Sequence, residues 1–132
     1  MENFFTAGLQ HIGIPTNDME ATIDFYGRLG FNIDFETTLK EENAAACRVC
    51  FFKLGSLCIE AYENHQAAMK TGAIAHISMD TSDVEAAFKS AGDGGFKLLD
   101  SAVRSLPFWK NGVKFFNIEG PNKEIIEFCQ IL

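Results

Sequence analysis

Four side chains in this 132-residue chain are of types and spacings that could do chemistry together: His11, Glu60, His76 and Glu127. The two histidines stand 65 residues apart, and each is followed by its glutamate at a similar interval, 49 residues in one case and 51 in the other. Two imidazoles and two carboxylates suit a borderline divalent ion such as nickel, cobalt or zinc. Imidazole nitrogens bind such ions well, and carboxylates offset the 2+ charge. Four such ligands would leave positions open on a six-coordinate ion for water or substrate. Taken singly, each residue would more readily be a satisfied strand histidine or a solvated glutamate. The duplication makes a metal site the better reading.

The elements that must position these residues are themselves repeated. Residues 9–33 align without a gap on residues 74–98, with nine of 25 positions identical: His11/His76, Ile12/Ile77, Thr16/Thr81, Asp18/Asp83, Glu20/Glu85, Ala21/Ala86, Gly27/Gly92, Gly30/Gly95 and Phe31/Phe96. Each half also carries a later Phe-Phe, Phe51-Phe52 and Phe115-Phe116, followed by an apolar stretch ending in the glutamate. Alternation predicts short strands at 9–14 and 74–80. Asn17 and Ser82, three residues before Glu20 and Glu85, have the spacing of a capping box at two helix starts. The helices are expected to end near Leu29 and Ala91, against Gly30 and Gly92. Strands follow at 31–37 and 96–101, then irregular links at 40–46 and 103–111. Two closing strands complete each half, at 47–54 with 57–63 and at 113–118 with 124–131. The predicted class is α+β: two tandem βαβββ modules, about 7–64 and 72–132, within one domain spanning 1–132. They would form a curled, cup-like mixed sheet with helices on the outer face. Strand alternation then turns His11, Glu60, His76 and Glu127 away from the helices.

Composition narrows the function further. The net charge of −7 disfavours a phosphate backbone as partner, so nucleic acid is not expected. No apolar run is long enough for a membrane helix and the start lacks a basic leader, so a cytoplasmic protein without membrane partners is expected. Cys47 and Cys50 form a lone C-x-x-C within a predicted strand, where residues three apart face opposite ways. The cysteines are therefore read as free, buried thiols. Thirteen phenylalanines imply much aromatic surface in a core or cleft. Phe52, Phe108, Trp109 and Phe116 are candidates to line such a cleft, with core packing the commoner use for most of them, and the loop around Phe108-Trp109 suggests a lid or a dimer contact. His65 has no counterpart in the repeat and reads as a surface residue.

These motifs resemble the vicinal-oxygen-chelate superfamily of glyoxalases, extradiol dioxygenases, epimerases and fosfomycin- and bleomycin-resistance proteins. The resemblance rests on His11-Ile-Gly-Ile, Asp18-Met-Glu-Ala with Phe25-Tyr26 and Leu29-Gly30-Phe31, Leu57-Cys-Ile-Glu60, Ala75-His76-Ile-Ser-Met-Asp80, and Gly120-Pro-Asn with Ile-Ile-Glu127-Phe128. The order His, Glu, His, Glu is most similar to bacterial-type glyoxalase I (lactoylglutathione lyase). That likeness implies a metal held by His11, Glu60, His76 and Glu127, with nickel or zinc first and cobalt or manganese also candidates. It implies a small vicinal-oxygen substrate such as a 2-oxoaldehyde–thiol hemithioacetal, isomerised by proton abstraction through a metal-stabilised ene-diolate. Glu127 is the first choice of base and Glu60 the second. It also implies a homodimer. Asn64 falls where the family holds the glutathione portion, and Lys110 is the match for a substrate-binding lysine. Pro15 replaces an arginine that grips a glutathione carboxylate in that family. The alternatives are a dioxygenase or a thiol or group transferase of the same superfamily, or a non-catalytic small-molecule binder of resistance type.

Overall fold

A computed structural model describes residues 2–132. The chain divides into two compact units, Met1–Ala67 and Ala68–Leu132. The first contains β1 (Ile12–Pro15), α1 (Met19–Arg28), β2 (Asn32–Leu39), β3 (Cys47–Leu54) and β4 (Leu57–Tyr62). The second contains β5 (Ile77–Asp80), α2 (Val84–Asp93), β6 (Lys97–Leu98), β7 (Arg104–Leu106), β8 (Val113–Glu119) and β9 (Ile125–Ile131). The class is α+β as expected. The strands form two mixed sheets, one of four strands in the order β1-β4-β3-β2 and one of five built on β5-β9-β8-β6, with β7 also on β8.

The identical positions of the repeat are where each helix is started and stopped. Thr16 and Thr81 accept through Oγ1 the amides of Asp18 and Asp83. Those aspartates are the N-caps, each accepting the amide of the alanine three residues on, Ala21 and Ala86, at 3.0 Å. The caps therefore lie one residue beyond the expected Asn17 and Ser82. An aspartate carboxylate here satisfies an orphan amide and faces the positive end of the helix. Glu20 and Glu85 sit in the first turn, where the same dipole favours them.

The ends are also duplicated. Gly30 and Gly95 have φ of +99° and +73°, and their amides donate to Gly27 and Gly92. Phe31 and Phe96 then donate back to Tyr26 and Ala91, closing the helix in the six-to-one manner of a Schellman turn. Gly92 lies within α2, which runs to Asp93, so the stopping glycine of the second helix is Gly95.

A further pair of bonds ties each helix to its sheet. The first helical amide of α1, on Met19, donates to Glu63, and that of α2, on Val84, donates to Gln130. Both acceptors stand three residues after a candidate glutamate, Glu60 or Glu127. The apolar side of each helix covers one sheet face. Tyr26 packs on Phe31 and Phe52, with ring centroids 5.3 and 5.6 Å apart, above buried Ile59 and Ala61. In the second unit Phe88 meets Phe116 edge-on and Phe116 stacks on Phe128, over buried Ile118 and Ile126.

The second unit departs from βαβββ between β6 and β7. Asp100 Oδ2 accepts both the amide and the side-chain Nδ2 of Asn117, at 2.8 and 3.0 Å. A side chain thus takes the place of a backbone partner, and the strand expected over 96–101 shortens to Lys97–Leu98. Pairing resumes as β7, inside the stretch expected to be irregular. Among the described residues no helix is long and apolar enough to cross a membrane. All four cysteines are free; Cys50 is wholly buried, and burial pushes its thiol up to about 11.

Two stability measurements test this account. Gly30→Ala forces a side chain into a left-handed backbone conformation and is expected to cost about 1 kcal/mol in urea unfolding. Glu124 is half-buried with Oε2 shut off from solvent, and desolvation, aided by the nearby Glu119 charge, raises its carboxyl above the ordinary value. The folded state therefore binds the proton more tightly than the unfolded chain. Stability from this group falls as pH rises from the ordinary carboxylate range through the raised value. Glu124→Gln is expected to raise the melting temperature at pH 7 and to flatten that decline.

Candidate functional site

The position of each candidate pair follows from parallel strand pairing. β1 runs parallel to β4 with Gly13 opposite Glu60, and β5 runs parallel to β9 with Ser78 opposite Glu127. His11 and His76 stand two residues before Gly13 and Ser78, hence on the same sheet face as the glutamates. The opposite face is the one under the helix, where Ile59 and Ile126 are fully buried. Each histidine therefore shares the helix-free face with its own glutamate, as the alternation predicts.

The pairs are in contact. His11 Nε2 lies 3.0 Å from Glu60 Oε2, and His76 Nε2 lies 3.9 Å from Glu127 Oε2. The same ring nitrogen and the same kind of oxygen meet in both units, two donor types that suit a borderline divalent ion. The glutamates are the better shielded partners, 26% and 16% exposed, while the histidines are 36% and 46% exposed. Among the described residues, no group of three or more His, Cys, Asp or Glu side chains is gathered to hold a metal ion.

The two pairs differ in their supports. Ser78 Oγ donates to Glu127 Oε1 at 2.8 Å and leaves Oε2 toward His76. The residue opposite Glu60 is Gly13, which has no side chain to offer. In the first unit the support is aromatic: Phe51 is opposite Glu60, meets the His11 ring edge-on at 5.6 Å, and lies 6.2 Å from Phe35. His11 Nδ1 also meets the side-chain oxygen of Gln10.

The expectation that Phe52 and Phe116 line a cleft is not met. They are 1% and 0% exposed and pack under α1 and α2. Register also shows that the two Phe-Phe pairs are not equivalent. Phe51 stands opposite Glu60, but the residue opposite Glu127 is Asn117, and Phe115 stands opposite Cys129. The residues that sequence reading missed on the helix-free faces are Phe51 and Phe35 in one unit, and Phe115, Asn117 and Arg104 in the other. Counting alternation outward from the glutamates across the hairpin would have selected Phe51. The contribution of Arg104 needed the strand β7, which has no clear sequence signal.

The remaining candidates lie elsewhere within their units. Asn64 follows β4 by two residues and its Oδ1 accepts the Gln66 amide at 3.0 Å. His65 is exposed, as expected of a surface residue. Trp109 and Lys110 line a concavity with Pro107 and Leu132, whereas His76 and Glu127 line another with Arg104 and Phe115. Phe108 and Trp109 are largely exposed and in ring contact with each other.

A profile of the Glyoxalase/Bleomycin resistance protein/Dioxygenase superfamily matches residues 8–128. The chain belongs to this superfamily. Among its relatives is a Bacillus subtilis (strain 168) protein described as "uncharacterized protein YwbC", 30% identical over 124 residues, which are 92% of this chain and 96% of that one. A glyoxalase family protein from Enterococcus faecalis shares the fold with a TM-score of 0.76 at 21% identity, over 96% of this chain and 99% of the other. So does the genomically encoded fosfomycin resistance protein FosX from Listeria monocytogenes, complexed with Mn(II) and sulfate ion, with a TM-score of 0.73 at 13% identity over 96% and 94% of the two chains. The superfamily is named for enzymatic and resistance activities, and a protein of the same fold has been solved with Mn(II).

The assignment of core and open faces is directly testable. Phe52→Ala removes a fully buried ring and is expected to cost about 3–5 kcal/mol in urea unfolding. Phe51→Ala is expected to cost less. Only Phe51→Ala should shift the His11 ring proton resonances in NMR spectra, because only Phe51 places its ring against that imidazole.

Proposed function

We propose that this superfamily member is a metal-dependent, glyoxalase-like isomerase, with His11, Glu60, His76 and Glu127 as its metal-holding residues. The observation that carries the reading is the duplicated pairing of His Nε2 with Glu Oε2 on adjacent parallel strands. Each pair offers a nitrogen and an oxygen donor, types suited to nickel, zinc, cobalt or manganese. Mn(II) in the similarly folded FosX supports a divalent ion in this fold.

A bound ion would stabilise negative charge on two adjacent substrate oxygens, which acidifies the C–H bond of the hydroxyl-bearing carbon next to the carbonyl. Glu127 is the residue best prepared to move that proton. Ser78 holds its Oε1, so Oε2 keeps a fixed direction, and most of the side chain is shielded from water. In this reading Glu127 Oε2 takes the proton from one carbon and returns it to the neighbouring carbon, so that the net change is an isomerisation. Glu60 is held on one side by His11 and lacks a hydroxyl partner on β1, which fits it to a ligand role. The proposed substrate is a 2-oxoaldehyde–thiol hemithioacetal, handled by a homodimer.

Elemental analysis of purified protein is expected to find a divalent transition metal, and metal-loaded protein is expected to isomerise the methylglyoxal–glutathione hemithioacetal. Glu127→Gln should keep metal bound and lower kcat by about 100-fold or more. Metal present with no turnover of this adduct would remove the lactoylglutathione lyase reading and leave the metal reading standing. Full isomerase activity in metal-bound Glu127→Gln would remove Glu127 as the base.

A further inference from the structure

The concavity that holds His76 and Glu127 contains a cation that the isomerisation does not use. Arg104, on the three-residue strand β7, lines it together with Phe115, Asn117 and Leu99. Its guanidinium carbon sits 5.1 Å from the centroid of the Phe115 ring. Asp100 Oδ1 faces Arg104 Nη1 at 3.5 Å. That distance is longer than a close charge-assisted bond and engages one nitrogen of the planar fork. Asp100 is itself well shielded, and its other oxygen is held by the amide and the side chain of Asn117. The arginine is thus steadied on two sides, by a ring face and by a fixed carboxylate, and still has N–H donors to offer.

This arrangement stands out against the charge of the chain. With a net charge of −7, the protein repels anions at long range. Lys97, Lys114 and Lys123 do not line this concavity: Lys97 and Lys123 pair closely with Glu119, at 2.8 and 2.9 Å, and Lys114 stands 3.5 Å from Glu85. Arg104 instead shares a concavity with a candidate metal-binding pair. A planar guanidinium stacked on an aromatic ring is suited to bidentate recognition of a carboxylate or a phosphonate. The first unit offers no such group at the corresponding place: two residues before Phe51, which stands opposite Glu60, is Val49, and opposite Val49 on β2 is Thr37.

We infer that Arg104 is a specificity-determining residue that takes an oxyanion of the substrate, a carboxylate or a phosphonate, while the vicinal oxygens face His76 and Glu127. Its placement beside a metal chelate rests on the function proposed above; the oxyanion contact itself does not. The substrate class is a small molecule with two adjacent oxygens at one end and an anionic group at the other.

The test uses hydroxamates, which chelate metals through adjacent oxygens. Acetohydroxamic acid, succinic acid monohydroxamate and 3-phosphonopropionohydroxamic acid are titrated calorimetrically into zinc-loaded wild type, Arg104→Ala and Arg104→Lys. Wild type is expected to bind at least one of the anionic hydroxamates about tenfold or more tighter than acetohydroxamic acid. The one with the larger gain tells carboxylate from phosphonate. In Arg104→Ala that ratio should fall to within about threefold of unity, and Arg104→Lys should keep part of it, since a lysine retains charge but not the fork. An anionic advantage that is absent in wild type, or intact in Arg104→Ala, overturns the inference. If none of the hydroxamates binds in a zinc-dependent way, the metal reading fails separately. The decision on Arg104 then passes to methylphosphonate and acetate followed by amide NMR on metal-free protein. Shifts around β7 and Phe115 that vanish in Arg104→Ala support the oxyanion contact. Shifts that are absent in wild type or unchanged in the variant overturn it.

Discussion

The parallel pairing of a short first strand with the last strand of its own unit is the constraint on which the rest of the structure depends. β1 beside β4, and β5 beside β9, bring a residue near the start of each unit against one about 50 positions later. Parallel neighbours need a long connection, and here the helix and the intervening strands supply it. Register then decides the chemistry. A slip of one residue along β4 or β9 would turn Glu60 or Glu127 under the helix and bring an isoleucine to the open face. Burial of Ile59 and Ile126 therefore does more than stabilise the core, because it holds each glutamate beside its histidine.

The helices serve that register. Each is fixed at its start by an aspartate cap and by a side chain from the residue three after the glutamate, and at its end by a glycine in the left-handed region. These contacts anchor the helix to the strand that carries the carboxylate. Most of the identities shared by the two halves lie at such anchors and at the histidines. The long strands after the helices diverged more freely. In the second unit Asp100 replaces part of a ladder with side-chain hydrogen bonds and opens room for Arg104.

Much of the fold was legible because its signals are local and occur twice. Period-two alternation placed the strands that bear the site, and the shared glycines marked the helix ends to within a few residues. The helix caps were read one residue early, since Asn17 and Ser82 have the right spacing to a glutamate while Asp18 and Asp83 have the right backbone geometry. The aromatic lining was only partly legible, for a different reason. In a Phe-Phe pair one ring faces the helix and one faces away, and composition cannot say which. Only pairing across β3–β4 and β8–β9 shows that Phe51 is the residue beside His11 and that Phe116 belongs to the core. Arg104 was out of reach because β7 has three residues and depends on a side-chain interruption distant in sequence.

A fold does not by itself fix a function, so the chemistry of this chain has to be argued from the side chains on its open faces. The chemistry of those faces depends on whether the duplicated His–Glu pairs are the ligands of a divalent ion. X-ray absorption spectroscopy of zinc-loaded protein tests that most directly. A shell of nitrogen and oxygen donors at about 2.0–2.2 Å, with the multiple scattering of two imidazoles, is the predicted result. A sulfur shell at about 2.3 Å, or spectra unchanged when both His11 and His76 are replaced, would contradict it.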